Sequence, residues 1–178
     1  VGTGGFAGKE GLRKSMTKMK VQGLMFDQKN AMAVVVLVDE EEKRSLPIWI
    51  GIFEAQSILL GLQGVQTPRP LTHDLMASVI RNMGGELERV VITKIVDNTF
   101  YALLHLKMGE KQVTVDARPS DGIALSLRMG APIYISEEIR SSTTVAMGEI
   151  DDKEIEEFGQ FLEKLKPEDL KKYLGYEK

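Results

Sequence analysis

Seven stretches of the chain carry apolar residues in alternation with polar ones or in short unbroken runs: VQGLMF, AMAVVVLV, LPIWI, ELERVVITKIV, FYALLHLK, KQVTVDA and PIYIS. All are rich in β-branched and aromatic side chains, which fit a pleated surface, so each reads as a strand. Three others, FEAQSILLGLQ, HDLMASVIRNM and SDGIALSLRM, repeat apolar residues three and four positions apart, the spacing of one buried helix face. Gly64, Gly84 and Gly130 follow the last turns of these helices, where a left-handed residue commonly ends the helix.

Displacing the chain against itself by 67 residues sets residues 21–64 over 88–131. Strand then meets strand, helix meets helix, and Glu54 falls on Asp121, each near a helix start. Few identities accompany the match, yet the coincidence of elements points to two related β-β-β-α units. The expected fold is α/β of the α+β type: a mixed or mainly antiparallel sheet from two such units, with helices packed on it. Residues 19–148 are the expected domain. Residues 149–178 read as a helical C-terminal tail, with Ile155, Phe158, Leu162 and Leu165 on one face and Pro167 opening a second helix. Residues 1–18 have glycine, small polar residues and no apolar period, and are expected to be a flexible lead or an appended remnant. The GTGG within them is no phosphate loop, because no strand precedes it.

Composition narrows the chemistry. The chain has no cysteine, which removes thiolate catalysis, zinc-thiolate sites and disulfides. No apolar run approaches the roughly 18 residues that span a bilayer, and no signal-peptide core is present, so a cytoplasmic protein with no membrane role is expected. The net charge of −3 sits mostly in the tail, where ten acids face six bases; residues 19–148 hold fifteen acids and thirteen bases. Proteins that grip nucleic acid through many phosphates show a basic stripe. Any such grip here is local, weak and nonspecific.

Two polar clusters stand at helix starts. In VDARPSDG, Pro119 suits the first helical position, Asp116 ends a strand, and Arg118 stands between Asp116 and Asp121. Asp121 falls in the first turn, facing unpaired amides. Architecture alone explains the carboxylates better than the guanidinium. In TPRPLTHDLM the prolines hold Arg69 extended, Thr72 is the expected N-cap, and His73 and Asp74 follow in the first turn. That helix start favours anions. His73 is the better general-base candidate, since His105 falls mid-strand and reads as a packed or surface group. Asp97 and Asn98 are expected to make a hairpin turn. Trp49 is expected in the core or in an interface.

LPIWIGIFEAQSI, PRPLTHDL, DNTFYALL, DARPSDGIALSLR and APIYIS, in this order and at this spacing, resemble the signature segments of the bifunctional nuclease family. The resemblance covers about residues 20–138. It implies a nuclease that cuts both RNA and DNA with little sequence preference. Carried over by position, the family's polar motif residues fall on Glu54, Arg69, Thr72, His73, Asp74, Asp116, Arg118, Ser120 and Asp121. Gly122, where the family more often has alanine, is expected to loosen its helix start by up to about 1 kcal/mol.

The expected catalytic set is His73, Asp74, Arg69, Arg118 and Asp121, with Thr72 and Ser120 binding substrate. Glu54, Asp116 and Asp121 could offer hard oxygens to Mg or Mn, and no organic cofactor is expected. The alternative is a non-catalytic regulatory or binding module that holds an anionic ligand or a protein partner through the same loops. Self-association, with a dimer favoured, is expected from the many apolar strands. The catalytic reading requires that the distant carboxylates, His73 and the arginines share one pocket.

Overall fold

The computed structural model describes residues 16–27, 32–41, 44–143 and Gln160. Most of the expected lead and, Gln160 aside, the helical tail lie outside them. An antiparallel meander of β1 (Met16–Asp27), β2 (Met32–Asp39) and β3 (Ser45–Ile50) is followed by α1 (Ile52–Leu62). After α2 (Thr72–Asn82) comes a second meander, β4 (Gly85–Val96), β5 (Thr99–Met108) and β6 (Lys111–Ala117), followed by α3 (Pro119–Met129). Then come β7 (Ile133–Ser136) and α4 (Glu137–Thr143).

All seven strands form one sheet in the order β3-β2-β1-β7-β4-β5-β6. β7 joins the two meanders, antiparallel to β1 and parallel to β4; the other pairings are antiparallel. The 67-residue displacement carries α1 onto α3 residue for residue. The expected pair of β-β-β-α units is therefore present, and α2 and β7 are the elements added to it. β1 begins at Met16, inside the stretch read as a lead, because Met16–Met19 pair with β7.

β2 shows why the sheet is rigid beneath the helices. Ala33, Val35 and Leu37 meet Leu46, Ile48 and Ile50 of β3 in the main core, which also takes in Ala55 and Ile58 of α1 and Ile123 of α3. Val34, Val36 and Val38 point the other way and pack under Met25. Each such side chain contributes about 1.5–3 kcal/mol on burial. Gly122 lets α3 approach the sheet: a Cβ there would lie 2.8 Å from Val90 Cγ1. The helix-loosening expected of this glycine is thus accompanied by a packing role the sequence did not reveal.

Asp97 and Asn98 turn the β4–β5 hairpin with φ of 48° and 58°, as expected. Trp49 is not a core residue; it is 51% exposed. Along α2 and its two caps, Leu71, Leu75, Val79 and Met83 repeat every four residues and stay exposed, forming an apolar stripe. Among the described residues no helix is long and apolar enough to cross a membrane.

Candidate active site

The starts of α1, α2 and α3 position the site. α3 is capped by Arg118 in extended backbone, with Pro119 as its first residue. Proline's fixed φ suits that position, and Asp121 then stands three residues on from Arg118. The guanidinium donates from Nε to Asp121 Oδ2 at 2.7 Å and from Nη2 to Asp121 Oδ1 at 3.1 Å. Its Nη1 donates to Glu54 Oε1 at 2.8 Å. Glu54 and Asp121, the equivalent positions of the two units, thus converge on one arginine. Gly51 permits this, since a Cβ there would fall 2.1 Å from Glu54 Oε2.

At α2 the N-cap is Leu71 and not Thr72, which is the first helical residue and exposed. A leucine side chain offers no acceptor. The cap function passes to Asp74, whose Oδ2 accepts the Leu71 N–H at 2.9 Å. This shift turns His73 toward the neighbouring helices. Its Nε2 meets Asp121 Oδ1 at 3.1 Å, and its Nδ1 meets Ser57 Oγ, on α1, at 2.8 Å.

Charge fixes the proton positions in this relay. Burial pushes the Asp121 carboxyl up, but hydrogen bonds from Arg118 and His73 outweigh it and hold the group below the usual carboxylate range. An ionised carboxylate only accepts, so neutral His73 carries its proton on Nε2. The basic lone pair is then on Nδ1, and the Ser57 hydroxyl donates to it. Hydrogen bonding to Asp121 first, and then its charge and Glu54, raise Arg118 above its ordinary value and keep it a permanent cation.

A second ion pair locks the same three helices. Arg128 donates from Nε to Asp74 Oδ1, and from Nη1 to the Ser57 carbonyl at 3.1 Å and the Ala124 carbonyl at 2.9 Å. Its side chain is only 10% exposed. Burial also pushes the Asp74 carboxyl up, and Arg128 together with the Leu71 amide brings it below the usual range.

His73, Asp74, Asp121, Arg118 and Glu54 therefore come together. Arg69 is exposed and its guanidinium joins none of these bonds; only its carbonyl is engaged, by Thr67 Oγ1 at 2.6 Å. Asp116 lies on exposed β6 opposite Leu103 and also stands outside the network. Ser120 is buried and lines a cavity beside Arg118. Among the described residues no three His, Asp or Glu side chains are grouped so as to hold a metal. Where Glu54 and Asp121 converge, a guanidinium stands, and the oxygens it uses are not offered to a hard cation. The side chains as arranged do not fit Mg or Mn.

Sequence reasoning missed Ser57 and Arg128. Ser57 is the one hydroxyl in the α1 stretch and lies three residues after Glu54, on the same helix face, a usable signal. Arg128 gave none, because its partner Asp74 is 54 residues away.

The sequence profile described as the bifunctional nuclease domain matches residues 35–148. The uncharacterized protein Rv1829 of Mycobacterium tuberculosis is 37% identical over 165 residues, covering 88% of this chain and 99% of its own. Bifunctional nuclease 2 of Arabidopsis thaliana is 31% identical over 115 residues, 62% of this chain and 34% of its own. Bifunctional nuclease 1 of Oryza sativa subsp. japonica is 28% identical over 110 residues, 60% of this chain and 33% of its own. The chain thus matches about a third of the plant proteins' length.

Proposed function

The chain belongs to the bifunctional nuclease domain family, and from that premise we propose that it hydrolyses phosphodiester bonds of RNA and DNA with little sequence preference at the His73–Asp121–Arg118 cluster. The observation that carries this reading is the relay in which an ionised Asp121 fixes the His73 tautomer and leaves Nδ1 on a hydroxyl at 2.8 Å. In the proposed step water attacks phosphorus as the bond to the leaving sugar oxygen breaks; the water gives its proton to Ser57 Oγ, which passes its own to His73 Nδ1, and the departing alkoxide takes a proton from solvent. Asp121 stabilises the imidazolium. Arg118 has five N–H groups and uses three here, so two remain for the charge that develops on the phosphoryl oxygens.

General-base assistance of about 10²–10⁴ and one charged donor worth about 10²–10³ contribute roughly 5–9 kcal/mol. Positioning adds on the order of 7–11 kcal/mol. Together, at roughly 12–20 kcal/mol, they reach the order of 20 kcal/mol that phosphate-ester cleavage requires only at their upper end.

The test uses highly purified protein with single-stranded RNA and DNA, with and without chelator, beside His73→Ala and Asp121→Ala. Cleavage lost in both variants is the expected result. Undiminished cleavage would assign the activity to a contaminant or to a site elsewhere. The chelator arm reads whether Mg or Mn assists. One observation favours a second reading, a non-catalytic module that binds a protein partner: Glu54 and Asp121 outweigh Arg118, so the cluster repels a polyanion more than a nuclease site should. Specific binding without cleavage would favour it. For the expected dimer, the exposed α2 stripe is the proposed surface, and light scattering reads the mass.

A further inference from the structure

A cavity of about 290 Å³ opens between the two β-β-β-α units. Its wall from the first unit includes Trp49 and Glu54, and its wall from the second includes Asn98, Phe100, Arg118 and Ser120. Three of the five signature segments, LPIWIGIFEAQSI, DNTFYALL and DARPSDGIALSLR, therefore meet here. The volume is at the lower end of the range for small-ligand sites.

Two features of the lining point to a ligand. Ser120 is only 4% exposed, borders the cavity, and its hydroxyl has no hydrogen-bond partner among the described residues. The oxygen is not fully occluded, so it is open to the cavity, where a ligand oxygen can take the place of water. It stands in the first turn of the eleven-residue α3, beside the two N–H groups that Arg118 leaves unused. Trp49, the chain's single tryptophan, also borders the cavity and is half exposed. An aromatic wall opposite an anion-favouring helix start is a combination suited to a nucleotide.

We propose that this cavity binds one unstacked nucleotide, its phosphate at Ser120 and Arg118, its base against the aromatic wall of Trp49 and Phe100, and the base edge at Asn98. The proposal rests on the nuclease reading for its substrate and deepens it. A base can enter only if it leaves its stack, which costs a duplex more than a single strand. The site therefore selects single-stranded RNA and DNA. Glu54 and Asp121 lie close to the phosphate position, so affinity for an isolated nucleotide is modest.

Trp49 makes the test direct. Its fluorescence is followed while the full chain is titrated with AMP, UMP, adenosine and inorganic phosphate. A saturable change with the nucleotides is expected. Ser120→Ala should weaken AMP by roughly ten-fold, the worth of a hydrogen bond to a charged group, and leave adenosine nearly unchanged. Asn98→Gly, which suits the positive φ there, removes the base-edge contact without straining the turn and should weaken AMP and adenosine alike. Urea melts confirm that each variant is folded. A response that never saturates, or equal AMP affinity in wild type and both variants, would overturn the proposal. Cleavage is not needed for the signal, so the two readings fail separately: saturable binding without cleavage sinks the nuclease and keeps the site, and cleavage without saturable binding does the reverse.

Discussion

Asp121→Asn removes one charge from the centre of the network while preserving its shape. Asp121 accepts two hydrogen bonds from Arg118 and one from His73. The Arg118 side chain is 64% exposed, so its share is discounted to the surface range of about 0.2–1 kcal/mol. His73 is 11% exposed, and a hydrogen bond from such a group to a carboxylate is worth about 1.5–3 kcal/mol. Asparagine keeps one oxygen for His73 but turns an amide toward the guanidinium. The expected loss is about 1–2 kcal/mol, or roughly 2–8 °C in Tm for a chain of this size. Urea unfolding at a series of pH values checks it. Asp121 is held below the usual range in the folded state, so its contribution is complete above the unfolded value of about 3.9 and is lost as pH falls through the folded value. The difference between wild type and variant should therefore be full at neutral pH and shrink at acid pH. Asp74, also held low, is common to both proteins and cancels. A difference that is absent at neutral pH, or constant down to strongly acid pH, would refute the assignment of Asp121 as an ionised acceptor.

Three further outcomes are expected. Gly51→Ala places a Cβ where Glu54 Oε2 now lies, so it should displace that carboxylate from Arg118. Cleavage should fall about ten-fold while stability falls by less than about 1 kcal/mol, read by kinetics beside urea melts. Arg128→Met strands Asp74 and two carbonyls that share a nearly buried guanidinium, and should cost about 2–4 kcal/mol in the same melts, with Arg128→Lys recovering only part. Gly122→Ala gains up to about 1 kcal/mol of helix propensity but meets Val90 Cγ1, an overpacking cost of about 1–3 kcal/mol; urea midpoints should show a net loss.

The fold was legible because its signals are local. Strand alternation, helix period, the glycines after the helices and the 67-residue displacement depend on neighbours in sequence, and α1 and α3 coincide under that displacement as read. The site was legible only in part. Glu54, His73, Asp74, Arg118 and Asp121 were picked as polar residues near helix starts, and the fold brings them together. Arg69 and Asp116 have the same local character, but one stands in an exposed loop and the other on an exposed strand. Thr72 had the right chemistry for a cap and lost the position by one residue, because a carboxylate at Asp74 caps from inside the helix. Ser57 and Arg128 act through partners far away in sequence, and such pairings form only when three helices pack. Trp49 read as core or interface, because apolar character alone does not distinguish a buried ring from a cavity wall.

If His73 and Asp121 act as one unit across α2 and α3, single-turnover cleavage of a short single-stranded oligonucleotide by His73→Ala, Asp121→Asn and the double variant will show it. Each single change should slow cleavage by about 10²–10⁴, and the double variant should be no more than about ten-fold slower than the worse single, as for residues sharing one proton relay. Singles that cleave at the wild-type rate, or a double variant whose loss is the full product of the two, would contradict it.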